Sequence, residues 1–178
     1  IIGFYSVVFA AHTLLFFYSQ QYFADLGYNK VQISVIMLLV GGASCLGALV
    51  SEKMYRWFGK KCLIPETVII AGAILCYGAG KADVAAAALM CAGFANAALY
   101  PIQSDSLNVL IPSEQRATLI SVDSMCFSIA MIVLFPLAGA LADRWGLKTV
   151  LLLLGAILLL FLLTVFCIEK ESFSSDHS

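Results

Sequence analysis

Long runs of apolar residues, separated by short polar segments, divide the chain into six stretches. The runs are rich in Leu, Ala and Gly and lack the period-two alternation of membrane strands. A helix needs roughly 20 apolar residues to cross a bilayer, and each run approaches or exceeds that length. The pattern predicts an all-α membrane protein with six transmembrane helices over residues 1–168 and a polar cytoplasmic tail at 169–178. The predicted helices span residues 1–24, 31–50, 62–80, 84–110, 114–142 and 149–168.

Polar segments mark where these helices should end. Ser113 follows Pro112 and is a natural N-cap for the fifth helix. We expect the charged segment 51–61 to be a loop after the second helix, and 143–148 to be the turn before the sixth. The third and sixth helices have almost no polar face, so we expect both to lie against lipid.

The amino-acid composition supports the same class of protein. Hydrophobic residues make up 62% of the 178 residues, charged residues make up 12%, and the mean hydropathy is +0.97. A soluble domain carries roughly twice that share of charge and could not coat so much apolar surface. A formal net charge of −1 gives no attraction for nucleic acid. The lipid bilayer is therefore an expected partner, and nucleic acid is not.

Nothing in the sequence indicates an enzyme, a metal or a cofactor. There is no nucleophile–base grouping, no metal-ligand spacing and no phosphate loop. The six cysteines are scattered without a CxxC pair, so we expect them to pack as small apolar side chains.

Two features bear on topology. Six Lys and Arg residues fall on the side of both termini and four on the other side, which predicts a multi-pass inner-membrane protein with both termini of this segment cytoplasmic. The sequence from Gly47 to Lys60 recurs loosely from Gly139 to Lys148, at the same place in each group of three helices. This predicts two inverted three-helix repeats, a common construction of secondary transporters. The alternative is that both segments are ordinary helix ends.

Polar stripes on the first, fourth and fifth helices predict a shared wet cavity. Such residues recur at three- and four-residue spacing, which places them on one face of a helix. Hydrogen bonding between helices is the alternative explanation of the stripes. For His12, near the middle of its helix, the alternative is a buried ring with one partner. The predicted cavity residues are Tyr5, His12, Phe16, Gln20, Asn96, Tyr100, Gln103, Ser124 and Ser128.

A second cluster, of charged residues near the ends of the fourth and fifth helices, suggests a gate whose ion pair depends on the conformation of the protein. Arg116 falls in the first turn of the fifth helix, where the helix dipole disfavours a cation, so an acidic partner is expected. Asp105 and Asp123 are the two candidates, and Asn108 lies in the same region. The pair would form in one conformation and loosen in another. The alternatives are a permanent staple between two helices and an Arg solvated at lipid headgroups.

The segment from Asn108 to Val122, followed by Ser124-Met125 and by Pro136 to Gly146, resembles the region of helices ten and eleven in major facilitator superfamily transporters. The segment from Arg56 to Lys61 resembles a degenerate form of the family's basic loop between helices eight and nine. The resemblance implies half of the superfamily's fold, helices seven to twelve, working by alternating access. It gives Glu52, Arg56, Lys60 and Lys61 a conformational role.

These observations predict a secondary transporter that moves a small molecule, with proton-coupled export as one form. A neutral or lipophilic solute fits the aromatic, weakly charged cavity better than an anion does. Ile1 opens directly in an apolar run, so we expect a fragment whose partner is an amino-terminal six-helix half of the same polypeptide. A half-transporter acting as a homodimer and a non-transporting membrane scaffold are the alternatives.

Overall fold

The computed structural model describes residues 2–58, 63–77, 81–110 and 116–175, with side chains described for 6–57, 67–77, 81–102, 118 and 120–164. These residues form six α-helices and no strand, which confirms the all-α prediction for this part of the chain. In chain order the helices are α1 (Ile2–Asp25), α2 (Lys30–Phe58), α3 (Leu63–Cys76), α4 (Ala82–Leu110), α5 (Arg116–Trp145) and α6 (Leu147–Ser175).

Local sequence signals fix the turn between α1 and α2. Gly27 adopts a left-handed φ of 89°, and the amide of Tyr28 donates to the carbonyl of Phe23 at 3.0 Å, which closes α1 with a Schellman motif. The rings of Phe23 and Tyr28 pack at 5.8 Å across this cap. Asn29 and Gln32 then exchange two side chain–backbone hydrogen bonds of 2.9 Å, the capping box that starts α2.

Three helix ends differ from the sequence-based expectation. α2 continues to Phe58, so Glu52 and Arg56 lie on a helix and the prediction of a loop at 51–58 is wrong. α5 continues to Trp145, and only Gly146 (φ 80°) separates it from α6, which extends to Ser175 through most of the predicted tail. Charged residues do not stop a helix, because most of them have good helix propensity. Gly146 separates the two helices, because glycine adopts the left-handed conformation without steric cost.

Two pairs of parallel helices form the frame of the bundle. In the α2–α4 pair, Gly47 lies directly against the backbone of Phe94, and the Ser51 hydroxyl donates to the carbonyl of Ala98 at 2.8 Å. In the α1–α5 pair, the Tyr18 hydroxyl donates to the carbonyl of Phe135 at 3.0 Å. Both pairs therefore rely on side chain–backbone hydrogen bonds between helices, which replace water for polar groups in an apolar environment.

α3 is a core helix. Ile70, Ile74 and the adjoining Tyr77 are fully buried, and α3 packs between α4 and α6, with Gly155 of α6 against the side chain of Leu75. The expectation that the third helix faces lipid is therefore wrong for most of its described residues. The sixth helix fits the expectation better, because one side of it is exposed while Leu151 and Leu158 are buried.

Among the residues whose side chains the structure describes, four helical segments are long and apolar enough to cross a membrane: Lys30–Trp57, Ala82–Ile102, Ile120–Trp145 and Leu147–Thr164. The described apolar part of α3 is shorter, at Thr67–Cys76. α1 carries polar side chains along its length, including His12, Gln20 and Gln21. The structure thus supports four of the six predicted spans by length and composition.

Candidate functional site

A cavity opens between α1, α4 and α5, the three helices that carry the polar stripes. It encloses about 170 Å³ and is open on one side. α1 and α5 hold its two long walls in register, because the hydrogen bonds Ser6–Asp123 and Tyr18–Phe135 both join residues 117 positions apart. The described lining residues are Ser6, Phe9, Tyr100, Asp123, Ser124, Phe127 and Ser128.

A carboxylate and a hydroxyl are paired in this cavity. The Ser6 hydroxyl of α1 donates to Oδ1 of Asp123 on α5 at 3.2 Å. Ser6 is buried and Asp123 is half-buried. Asp123 lies about two turns inside α5, and its half-buried carboxylate benefits from a partner there.

Aromatic rings line the same cavity as this pair. The ring of Phe9 lies 4.9 Å from that of Phe127 and 6.1 Å from that of Tyr100, with tilted planes. Tyr100 is largely exposed, so its ring is available at the mouth of the cavity. The Ser128 hydroxyl donates to the carbonyl of Ser124 at 2.8 Å within α5, which satisfies its proton and leaves its oxygen as an acceptor.

Among the nine predicted cavity residues, Tyr100, Ser124 and Ser128 line the cavity. Four others are described and do not line it. His12 and Asn96 are half-buried, Phe16 packs against the core and edge-on to Phe17, and Gln20 is exposed. The buried Nε2 atom of His12 has no hydrogen-bond partner among the described residues. The side chains of Tyr5 and Gln103 lie outside the described part, and binding roles for all six stay predictions.

Sequence reasoning missed Ser6, Phe9 and Phe127, and it assigned Asp123 only to the gate. A signal was present on α1, because Ser6 and Phe9 continue the three- and four-residue spacing that leads to Phe16 and Gln20. On α5, Phe127 lies three residues after Ser124 and one before Ser128. For Asp123 the sequence suggests Arg116, two turns away on the same helix, as a possible partner, and it gives no sign of Ser6.

The predicted gate residues are only partly described. Glu52 and Arg56 form an i, i+4 pair at 3.8 Å on the last turns of α2, with both side chains largely exposed. Such a pair contributes little to stability, at about 0.3–0.5 kcal/mol. Lys60 and Lys61 lie outside the described residues. Asp105, Asn108 and Arg116 lie on helices, with side chains that are not described. Of the two acids proposed as partners of Arg116, Asp123 has a described side chain, which accepts a hydrogen bond from Ser6.

Metal binding has no support in the described part of the chain. No three His, Cys, Asp or Glu side chains come together there, and the described cysteines Cys45, Cys76, Cys91 and Cys126 are free. The chemistry of the cavity therefore rests on one carboxylate, several hydroxyls and three aromatic rings.

Comparison with known proteins identifies the family. A model described as Major Facilitator Superfamily matches residues 67–176, from α3 to the end of α6. No curated protein and no solved structure gives a significant match. The match includes the segment 96–146, in which the resemblance to this family is strongest. Because the family model covers well over half of its residues, the chain belongs to the major facilitator superfamily and is a multi-pass membrane protein of the transporter type, with small molecules as substrates.

Proposed function

We propose that the cavity between α1, α4 and α5 is the substrate site of a secondary active transporter that works by alternating access. The Ser6–Asp123 pair carries this proposal. An acid within a membrane helix tends to line a cavity or to pair with a neighbour, and Asp123 does both, so function explains it more readily than packing. Its location between helices of both three-helix groups suits a site that those groups open and close.

Two matched contacts support the inverted arrangement of the two groups. Gly47 of α2 lies against α4, and Gly139 of α5 lies against Tyr18 of α1. The two glycines occupy the same place in the sequence repeat. Exchanging α1 with α4 and α2 with α5 converts the first contact into the second. Gly47 meets the backbone of Phe94 and Gly139 meets the hydroxyl of Tyr18, so the two contacts share the helices that they join and not their chemistry. Contacts between corresponding helices are what an inverted duplication predicts.

A second six-helix unit would complete the site. Pockets for drug-sized molecules enclose about 300–1,000 Å³, so an open cavity of about 170 Å³ resembles one wall of such a site. The described span of α5 has no fully buried residue, and α2 has few, which leaves both helices free to pack against another unit. We assign that unit to an amino-terminal half of the same polypeptide. A homodimer of this chain is the competing arrangement. The mass of the denatured polypeptide distinguishes the two, because a polypeptide with both halves is about twice as heavy as one half.

Orientation follows from the distribution of cations. The second helix ends in Lys53 and Arg56, on the side that carries more Lys and Arg, and we assign this side to the cytoplasm. Ser6 and Asp123 lie near the amino-terminal ends of α1 and α5, which belong to the same side. The cavity is then on the cytoplasmic side of the bundle, as in an inward-open transporter of the inner membrane.

Proton-coupled export is the form of transport that we propose. Asp123 is the ionisable group described in the cavity wall, so it is the candidate to carry a proton there. Transport is measured with the native protein in proteoliposomes, with and without a pH gradient. A transport rate that rises with the pH gradient supports proton coupling. Equal transport rates with and without the gradient exclude proton coupling and indicate a facilitative carrier. No transport of any solute under either condition favours a membrane scaffold.

A further inference from the structure

We propose that the cavity selects lipophilic organic cations, with Asp123 as their counter-ion and the rings of Phe9, Tyr100 and Phe127 as their apolar contact. This inference rests on the proposed transport function and names its substrate class. It is narrower than the sequence-based expectation of a neutral or lipophilic solute.

The charge of the described lining points to a cation. It contains one carboxylate, on Asp123, and no Lys, Arg or His. The Ser6 hydroxyl donates one hydrogen bond to this carboxylate, whose two oxygens together offer about four acceptor positions. An organic ammonium group would supply the charge that a hydroxyl lacks. An anion would meet only repulsion from Asp123.

The rings favour a cation that is also apolar. A cation is attracted to an aromatic face when it lies within about 6 Å of the ring centroid. Phe9 is within 4.9 Å of Phe127 and 6.1 Å of Tyr100, so the three rings form one continuous aromatic surface. This surface lines the same cavity as Asp123. An aromatic amine or quaternary ammonium can use both elements at once.

The same lining disfavours a sugar or another polyol. Such a solute needs a hydrogen-bond partner for each hydroxyl, and every hydroxyl left unpaired in a desolvated site costs about 1–3 kcal/mol. Much of the described wall is ring surface, and the proton of Ser128 is already bonded to Ser124. A polyol can donate to Asp123 and to the Ser128 oxygen, but those of its hydroxyl groups that meet the rings would stay unpaired.

Binding of benzyltrimethylammonium tests the proposal with a small, permanently charged aromatic probe. Equilibrium binding to the native protein in lipid nanodiscs is compared with that of neopentylbenzene, its uncharged isostere, and benzenesulfonate, an anion. We expect the cation to bind at least tenfold more tightly than either. Equal binding of the cation and its neutral isostere by the wild-type protein overturns the proposal without any variant.

Substitutions locate the site. We expect Asp123→Asn to weaken cation binding about tenfold or more, because a charge-assisted contact becomes a neutral one. Asp143→Asn is the matched control, since Asp143 is an exposed acid near the other end of α5 and should leave binding unchanged. We expect Phe9→Leu to weaken the binding of the cation more than the binding of neopentylbenzene. Loss of cation binding in Asp143→Asn to the same extent as in Asp123→Asn overturns the assignment.

Failure of this substrate assignment can be distinguished from failure of the transport proposal. Selective cation binding without transport in proteoliposomes would retain this site and reject the carrier function. Transport of a neutral or anionic solute, without selective cation binding, would retain the carrier function and reject the substrate class proposed for it.

Discussion

Gly47 of α2 lies against the backbone carbonyl of Phe94 in α4, where a Cβ atom would overlap the carbonyl oxygen. Four residues further along both helices, the Ser51 hydroxyl bonds to the carbonyl of Ala98. The contact between α2 and α4 is thus a backbone-to-backbone approach, closed by one buried hydrogen bond. Neither helix has a flexible side chain at this point that could move aside.

We predict that Gly47→Ala destabilises the protein. The added methyl group must push two helix backbones apart, and overpacking of this kind costs about 1–3 kcal/mol. The midpoint of thermal unfolding, followed by size-exclusion chromatography in detergent, should fall. Gly42→Ala is the matched control on the same helix, because a Cβ there meets nothing within 4 Å. An unchanged midpoint for Gly47→Ala would show that α2 and α4 pack less closely than described.

The second prediction concerns Gly27, where the backbone conformation, and not the space for a side chain, determines the effect of a substitution. A Cβ at Gly27 also meets nothing within 4 Å, but its φ of 89° is left-handed. We expect Gly27→Ala to lower stability by about 1–2 kcal/mol. Gly27→Asn should lower it less, since asparagine tolerates this conformation better. Thermal midpoints that do not differ between Gly27→Ala and Gly42→Ala would contradict the prediction.

The apolar runs and the turn residues were enough to predict the positions of the helices. The runs of Leu, Ala and Gly give the number of helices. Gly27 and Asn29 mark the first turn, because the interactions that cap the helices there are made by residues close in sequence. The burial of α3 could not be predicted in the same way. Apolar side chains suit lipid and protein neighbours equally, so hydropathy does not tell a core helix from a peripheral one. Only packing against α4 and α6 distinguishes them.

Burial of α3 leads to the third prediction. Ile74 is fully buried and Ile69 is 44% exposed on the same helix. We expect Ile74→Ala to cost about 2–5 kcal/mol through lost packing and a residual cavity. Ile69→Ala, the matched control, should cost clearly less. Similar thermal midpoints for the two variants would restore the expectation that α3 lies against lipid.

The site shows a different limit of sequence reasoning. The three helices that form the cavity carry visible polar stripes, and Tyr100, Ser124 and Ser128 belong to those stripes. The pairing of Ser6 with Asp123 depends on how α1 and α5 are aligned, a register set by contacts between residues 117 positions apart. No periodicity within one helix encodes that register, so the sequence alone could not identify Ser6 as the partner of Asp123.

Accessibility of the cavity gives the fourth prediction. In a variant of the native protein with every cysteine replaced by alanine, we expect Ser124→Cys to react with a membrane-impermeant maleimide in inside-out vesicles and not in intact cells. Ser34→Cys, exposed near the start of α2, should show the opposite pattern, because α2 begins on the other side of the membrane. Reversed labelling of both positions would overturn the cytoplasmic assignment. Absent labelling of Ser124→Cys from either side would show that the cavity is closed.

The last prediction concerns Arg116, the first residue of α5. A cation there is disfavoured by the helix dipole at about 0.3–1 kcal/mol, so its retention calls for an acidic partner. Asp105 and Asp123 are the two candidates for this partner, and a pair with Asp105 would link the ends of α4 and α5. If that pair holds one conformation, Arg116→Ala should change the labelling rate of Ser124→Cys severalfold while the protein remains folded. Arg144→Ala, at the far end of the same helix, should leave the rate unchanged. Unaltered labelling together with poor folding of Arg116→Ala would instead identify the residue as a permanent staple, since a structural role affects stability without altering the exposure of the cavity.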